Sequence, residues 1–91
     1  MKFGGSSLKK TLAGTAWCKD CQIHYYLLTD RLDHDLESYG VLVEYLGETA
    51  VCSGIAPRCR QIMELLELLQ RGAVTPVTLG DVVEDWLLSD A

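Results

Sequence analysis

The 91-residue chain has no apolar run of membrane-spanning length. No secretory pattern is visible either, since Thr11 to Trp17 is too short and too polar to serve as a leader's apolar region. The expected location is therefore the cytoplasm, with no membrane partner and with the four cysteines reduced. Lysine is absent after Lys19. Lys2, Lys9, Lys10 and Lys19 face one acid in the first twenty-one residues, a net +3, while the rest holds four arginines and twelve acids, a net −8. Such an acidic body repels phosphate backbones and argues against a nucleic-acid-binding surface. The chain also lacks a glycine-rich phosphate loop and any serine, histidine and acid spaced as a triad. It contains no internal repeat.

What is present points to a small folded domain. The apolar fraction of 48% is too high for a disordered chain. A chain this short builds only a marginal core, so self-association is a natural way to bury more surface. Residues 1–21 read as a flexible basic N-terminal tail, with Gly4, Gly5, Ser6 and Ser7 giving no period and Trp17 as the one bulky residue. Residues 22–91 read as a single α+β domain.

Gln22 to Leu28 is rich in aromatic and aliphatic residues and predicts a strand with apolar residues on both faces. Asp30 to Ser38 reads as a charged connection. Strands are then expected over Tyr39 to Leu46 and Thr49 to Ile55. A Gly47-Glu48 loop with glycine first suits a type II′ turn, which sets Val43 opposite Cys52 and Val41 opposite Gly54. One face then carries Val41, Val43, Tyr45, Ala50 and Cys52, and the other is mixed.

The stretch from Pro57 to Gly72 is the strongest helix signal. Ile62, Leu65, Leu66 and Leu69 form its apolar stripe, widened by Met63 and Leu68. Pro57 suits a first turn and Gly72 a left-handed stop. A second helix is expected after the extended link Val74 to Val77, capped by Thr78, with Leu79, Val82, Val83, Trp86 and Leu87 on one face. The expected architecture is a three-stranded antiparallel β-meander followed by two α-helices packed on one sheet face.

Three groups of residues stand out. Cys18 and Cys21 form a C-x-x-C that could share a metal, with zinc the cofactor it would imply. Zinc needs four ligands, however, and the chain has no second such pair. The favoured reading is two ordinary thiols. Arg58 and Arg60 fall in a helix's first turn, where the dipole disfavours positive charge. They are candidates for anion binding, set against pairing with this protein's many acids. Leu42, Leu46 and Val51 make the outer sheet face more apolar than a solvated face should be, which marks a candidate interaction surface. Asp30, Asp33, Asp35 and Glu37 lack the glycine and glutamate of a calcium loop and read as a solvated turn.

The segments YYLLTD, from Tyr25, and MELLELLQRGAVTPVTLGDVVEDWL, from Met63, resemble a small bacterial protein family of unknown function found in Gram-positive anaerobes (Firmicutes, clostridial relatives). The resemblance spans Tyr25 to Leu87. It implies a bacterial cytosolic origin and one compact domain, and brings no activity, cofactor or catalytic residue with it. The expectation from sequence is a non-enzymatic protein-interaction module, pairing with another protein or with a second copy as a homodimer. The alternative is a metal- or anion-binding regulator or small enzyme using Cys18 and Cys21 or Arg58 and Arg60.

Overall fold

The computed structural model describes residues 7–33 and 36–89. Four strands, β1 (Ser7–Cys18), β2 (Cys21–Asp33), β3 (Leu36–Tyr45) and β4 (Glu48–Ala56), precede two helices, α1 (Cys59–Arg71) and α2 (Pro76–Ser89). Each strand pairs antiparallel with the next, in the order β1-β2-β3-β4. The α+β class holds, but the three-stranded meander is corrected to four strands.

The added strand lies in the stretch read as a flexible tail; residues 1–6 are outside the described residues. A bulge hides β1 from periodicity. Leu12 opposes Tyr26 and Gly14 opposes Tyr25, so Ala13 is an extra residue that flips the alternation. Before it, Leu8, Lys10 and Leu12 face outward. After it, Gly14, Ala16 and Cys18 face the helices. Gly14 has a packing reason. A Cβ on Gly14 would lie 2.2 Å from the Gln70 side chain, so α1 comes close over this strand.

Asp30 to Ser38 is likewise not a loop. Arg31 opposes Glu37 and Asp30 opposes Ser38, so β2 and β3 form one long hairpin. Its candidate acids therefore lie in strands, apart from Asp35, which with His34 is outside the described residues.

The β3–β4 turn is also corrected. Leu46 and Gly47 are its central residues, both at positive φ (52° and 81°), which is the type I′ pattern rather than type II′. Val43 opposes Ala50 and Val41 opposes Cys52. The register differs by two residues from expectation, so every side chain keeps its face. Val41 and Val43 are buried, with Tyr45, Ala50 and Cys52 packed beside them. Next to them β3 and β4 nearly touch: a Cβ on Gly40 would sit 2.2 Å from the Cys52 carbonyl oxygen.

Both helices cover this inner face. Ile62, Leu65, Leu66 and Leu69 of α1 and Leu79 and Val83 of α2 are buried against Ile23, Tyr25, Val41 and Val43. Met63 and Leu68 are exposed rather than widening the α1 stripe, and Leu87, expected on the apolar face of α2, is exposed as well. The end of α1 differs from expectation. Gly72 has φ −91°, and Ala73 takes the left-handed conformation at 49°. The Val74 N–H donates to the Leu69 carbonyl and the Ala73 N–H to that of Gln70, a Schellman arrangement built on alanine. Helix α2 begins at Pro76, earlier than a Thr78 cap would allow. The proline sits where a missing N–H is harmless, and both the Thr78 N–H and its hydroxyl donate to the Thr75 carbonyl.

Tyr25 ties the layers together. It is fully buried in the sheet, and its hydroxyl donates to the Val74 carbonyl in the α1–α2 connection at 2.8 Å. Burial, with the nearby Cys18 thiol adding to it, pushes its pKa up to about 12.

Candidate functional site

With both helices on the inner face, the outer face has no layer over it among the described residues. Register alone builds its main feature. Leu12 opposes Tyr26, Tyr26 opposes Leu42, and Leu42 opposes Val51. Directly opposed residues share a face, so these four make one unbroken apolar row across all four strands. Leu12 and Val51 at its ends are 54% and 51% exposed, and Leu8 on the same side of β1 is 55% exposed. Trp17 is also exposed. Of the three residues expected on this surface, Leu42 and Val51 belong to the row. Leu46 is exposed but occupies the turn beyond it.

Leu8 and Leu12 were missed because their segment gave no strand signal. Their spacing to Lys10, alternating Leu-Lys-Leu at period two, is the trace that was there.

Polar groups flank the row. The Lys10 ammonium stands 4.5 Å from the centroid of the Tyr26 ring and reaches Glu44 at 3.9 Å. The Tyr26 hydroxyl donates to Glu44 at 3.3 Å. Burial raises the Tyr26 pKa, and Glu44 adds to the shift by charge and hydrogen bonding. Below the row lies a shallow depression of about 360 Å³ between Gln22, His24, Glu44, Leu46 and Thr49.

Cys18 and Cys21 are the closing pair of the β1–β2 hairpin. Lys19 and Asp20 form its two-residue turn at φ 49° and 72°, and the two cysteines oppose each other directly. Both are half-buried and free. The Tyr45 hydroxyl donates to the Cys18 carbonyl at 3.2 Å. Hydrogen bonding at Cys18, then burial and the two thiols, pushes the Tyr45 pKa up to about 12. Two thiols fill half of a zinc shell. Among the described residues no group of three or more histidines, cysteines or carboxylates is placed to hold a metal. Cys52 lies on the inner face of β4, where burial raises its thiol's pKa.

Arg58 is the N-cap residue of α1, with extended backbone and no side-chain cap bond. Arg60 lines a groove between α1 and β1 beside Glu64 and Glu67. Arg58 thus stands before the helix and Arg60 within its first turn. A separate cleft of about 470 Å³ lies beside Cys59, lined by Lys9, Thr29, Arg31, Glu37 and Tyr39. A cross-strand ion pair there, Arg31 to Glu37 at 3.5 Å, also holds the Tyr39 hydroxyl, which donates to Glu37 at 2.8 Å. That hydrogen bond, followed by burial, raises the Tyr39 pKa.

The sequence pattern of a family described as "Family of unknown function (DUF6514)" matches residues 9–89. The chain belongs to the DUF6514 family. The matched stretch runs from within β1 to the end of α2, wider than the resemblance drawn over Tyr25 to Leu87. The DUF6514 match thus takes in Leu12, Cys18 and Cys21, which that resemblance left out. The family description carries no activity, ligand or residue role. No curated protein and no solved structure matches the chain. Among the described residues no helix is long and apolar enough to cross a membrane.

Proposed function

We propose that this DUF6514 protein is a non-enzymatic interaction module that docks protein through the outer face of its sheet. The observation that carries this is the Leu12–Tyr26–Leu42–Val51 row, apolar from one sheet edge to the other with both helices on the opposite side. An apolar band of this kind is characteristic of protein contact surfaces. The same reading takes the protein to be cytoplasmic and of Gram-positive bacterial origin. The metal- or anion-dependent alternative draws less support, because Cys18 and Cys21 lack further ligands among the described residues.

The test is in-cell photo-crosslinking, with the crosslinker placed at Leu12 on the outer face or at Glu84 on α2. Adducts are then identified by mass spectrometry. The expected result is a defined adduct at Leu12, to a second copy or to another protein, that Leu42→Glu abolishes. Equal adducts at the two positions, or none at Leu12, would overturn the reading.

A further inference from the structure

We infer that the occupant of the outer face is a second copy of this chain, packed face to face about a two-fold axis that runs along the strands between β2 and β3. The inference rests on the docking reading above and adds its partner and its symmetry.

The register supplies the argument. An axis in that position sets each β2 residue against the partner copy of the β3 residue it already pairs with. Tyr26 then meets the partner's Leu42, and His24 meets the partner's Glu44. At the edges, Leu12 on β1 meets the partner's Val51 on β4. Apolar side chains stand against apolar ones, and an imidazole stands against a carboxylate. The strands of the two copies stay aligned, the ordinary geometry of two sheets packed face to face. Lys10 must swing off the Tyr26 ring to admit the partner's Leu42. It is free to do so, since its side chain is 47% exposed and its ion pair to Glu44 is 3.9 Å long.

Size agrees with a dimer. Four strands ~4.8 Å apart, each contributing about seven residues at ~3.3 Å, present on the order of 500 Å² in projection. Side-chain relief raises the accessible area toward the ~800 Å² per partner of a standard interface. A two-fold axis laid across the strands instead would stack Leu12 on Leu12 and Tyr26 on Tyr26, losing the match of His24 with Glu44.

The two axes are separated by one charge pair. Within a chain, Leu12 and Val51 lie on opposite edge strands with two strands between them, so they reach each other only across the proposed interface. Wild type, Leu12→Glu, Val51→Lys and the double variant are compared by sedimentation equilibrium over a concentration series. Circular dichroism confirms that each is folded, as expected for substitutions at exposed positions. Wild type should dimerise. Each single variant should weaken association on the order of 100-fold, and the double variant should recover to within about tenfold of wild type. A monomeric wild type overturns the second copy as occupant. An adduct at Leu12 to a different protein would then leave the docking reading standing without it. A dimer that the double variant fails to restore overturns the proposed axis.

Discussion

Leu46 sits where a leucine should not. It occupies the first central position of the β3–β4 turn at φ 52°, with Gly47 following at 81°. For a side chain with a Cβ, the left-handed conformation costs about 1–2 kcal/mol. Its side chain is 68% exposed, so it recovers little of this by packing. Asparagine tolerates the conformation and makes Asn-Gly, the preferred pair for a type I′ turn. Replacing Leu46→Asn should therefore stabilise the fold by about 1 kcal/mol. For a domain of this size that is roughly 4–8 °C in melting temperature. The assay is equilibrium urea unfolding at two protein concentrations a hundredfold apart, which separates fold stability from any mass-action contribution of self-association. The midpoint should rise with an unchanged slope. Gly47→Ala is the companion variant. An added Cβ there has nothing within 4 Å, so its expected cost of about 1 kcal/mol is conformational alone. An unchanged or lower midpoint for Leu46→Asn would show that the leucine does something in this turn that outweighs its strain.

Gly40→Ala should be more damaging than Gly47→Ala, because its Cβ would sit 2.2 Å from the Cys52 carbonyl oxygen and neither backbone can yield locally. About 2–3 kcal/mol is expected in chemical unfolding, and a loss no larger than that of Gly47→Ala would refute the close approach. Tyr25→Phe leaves the Val74 carbonyl without its donor and should cost about 1–2 kcal/mol by the same measurement. The Tyr25 hydroxyl ionises near 10 when unfolded and near 12 when folded, so its contribution is fully present below pH 10 and is lost as pH rises to 12. A pH series should show wild type losing stability more steeply than Tyr25→Phe across that window; parallel curves would contradict the assignment. Protein purified without chelator should carry no stoichiometric zinc, measured by elemental analysis, and one zinc per chain would restore Cys18 and Cys21 as ligands.

The parts legible in the sequence were those governed by period. The α1 stripe of Ile62, Leu65, Leu66 and Leu69 needs only a 3.6-residue repeat, and all four are buried. The inner-face set Val41, Val43, Tyr45, Ala50 and Cys52 survived a wrong turn assignment, because a register difference of two preserves alternation. Strand β1 was not legible for the opposite reason. Its bulge at Ala13 breaks period two, and Gly14, which resembles a linker residue, leaves the space that the Gln70 side chain of α1 occupies. Half of the candidate surface went unseen with it. Leu42 and Val51 could be placed on one face from the β3–β4 hairpin alone, but Leu12 joins them only once β1 pairs with β2.

The sequence by itself determined the class of the fold, the two helices and the face they cover, since amphipathic spacing is a local property of the chain. Only the tertiary structure decided that a fourth strand exists, that Leu46 and Ala73 carry positive φ, and that four apolar residues from four strands line up across an open face. The fourth strand and the row depend on contacts between residues distant in sequence. Packing against such neighbours can hold a residue in a conformation its own propensity disfavours, and can make a row out of side chains that no sequence period connects.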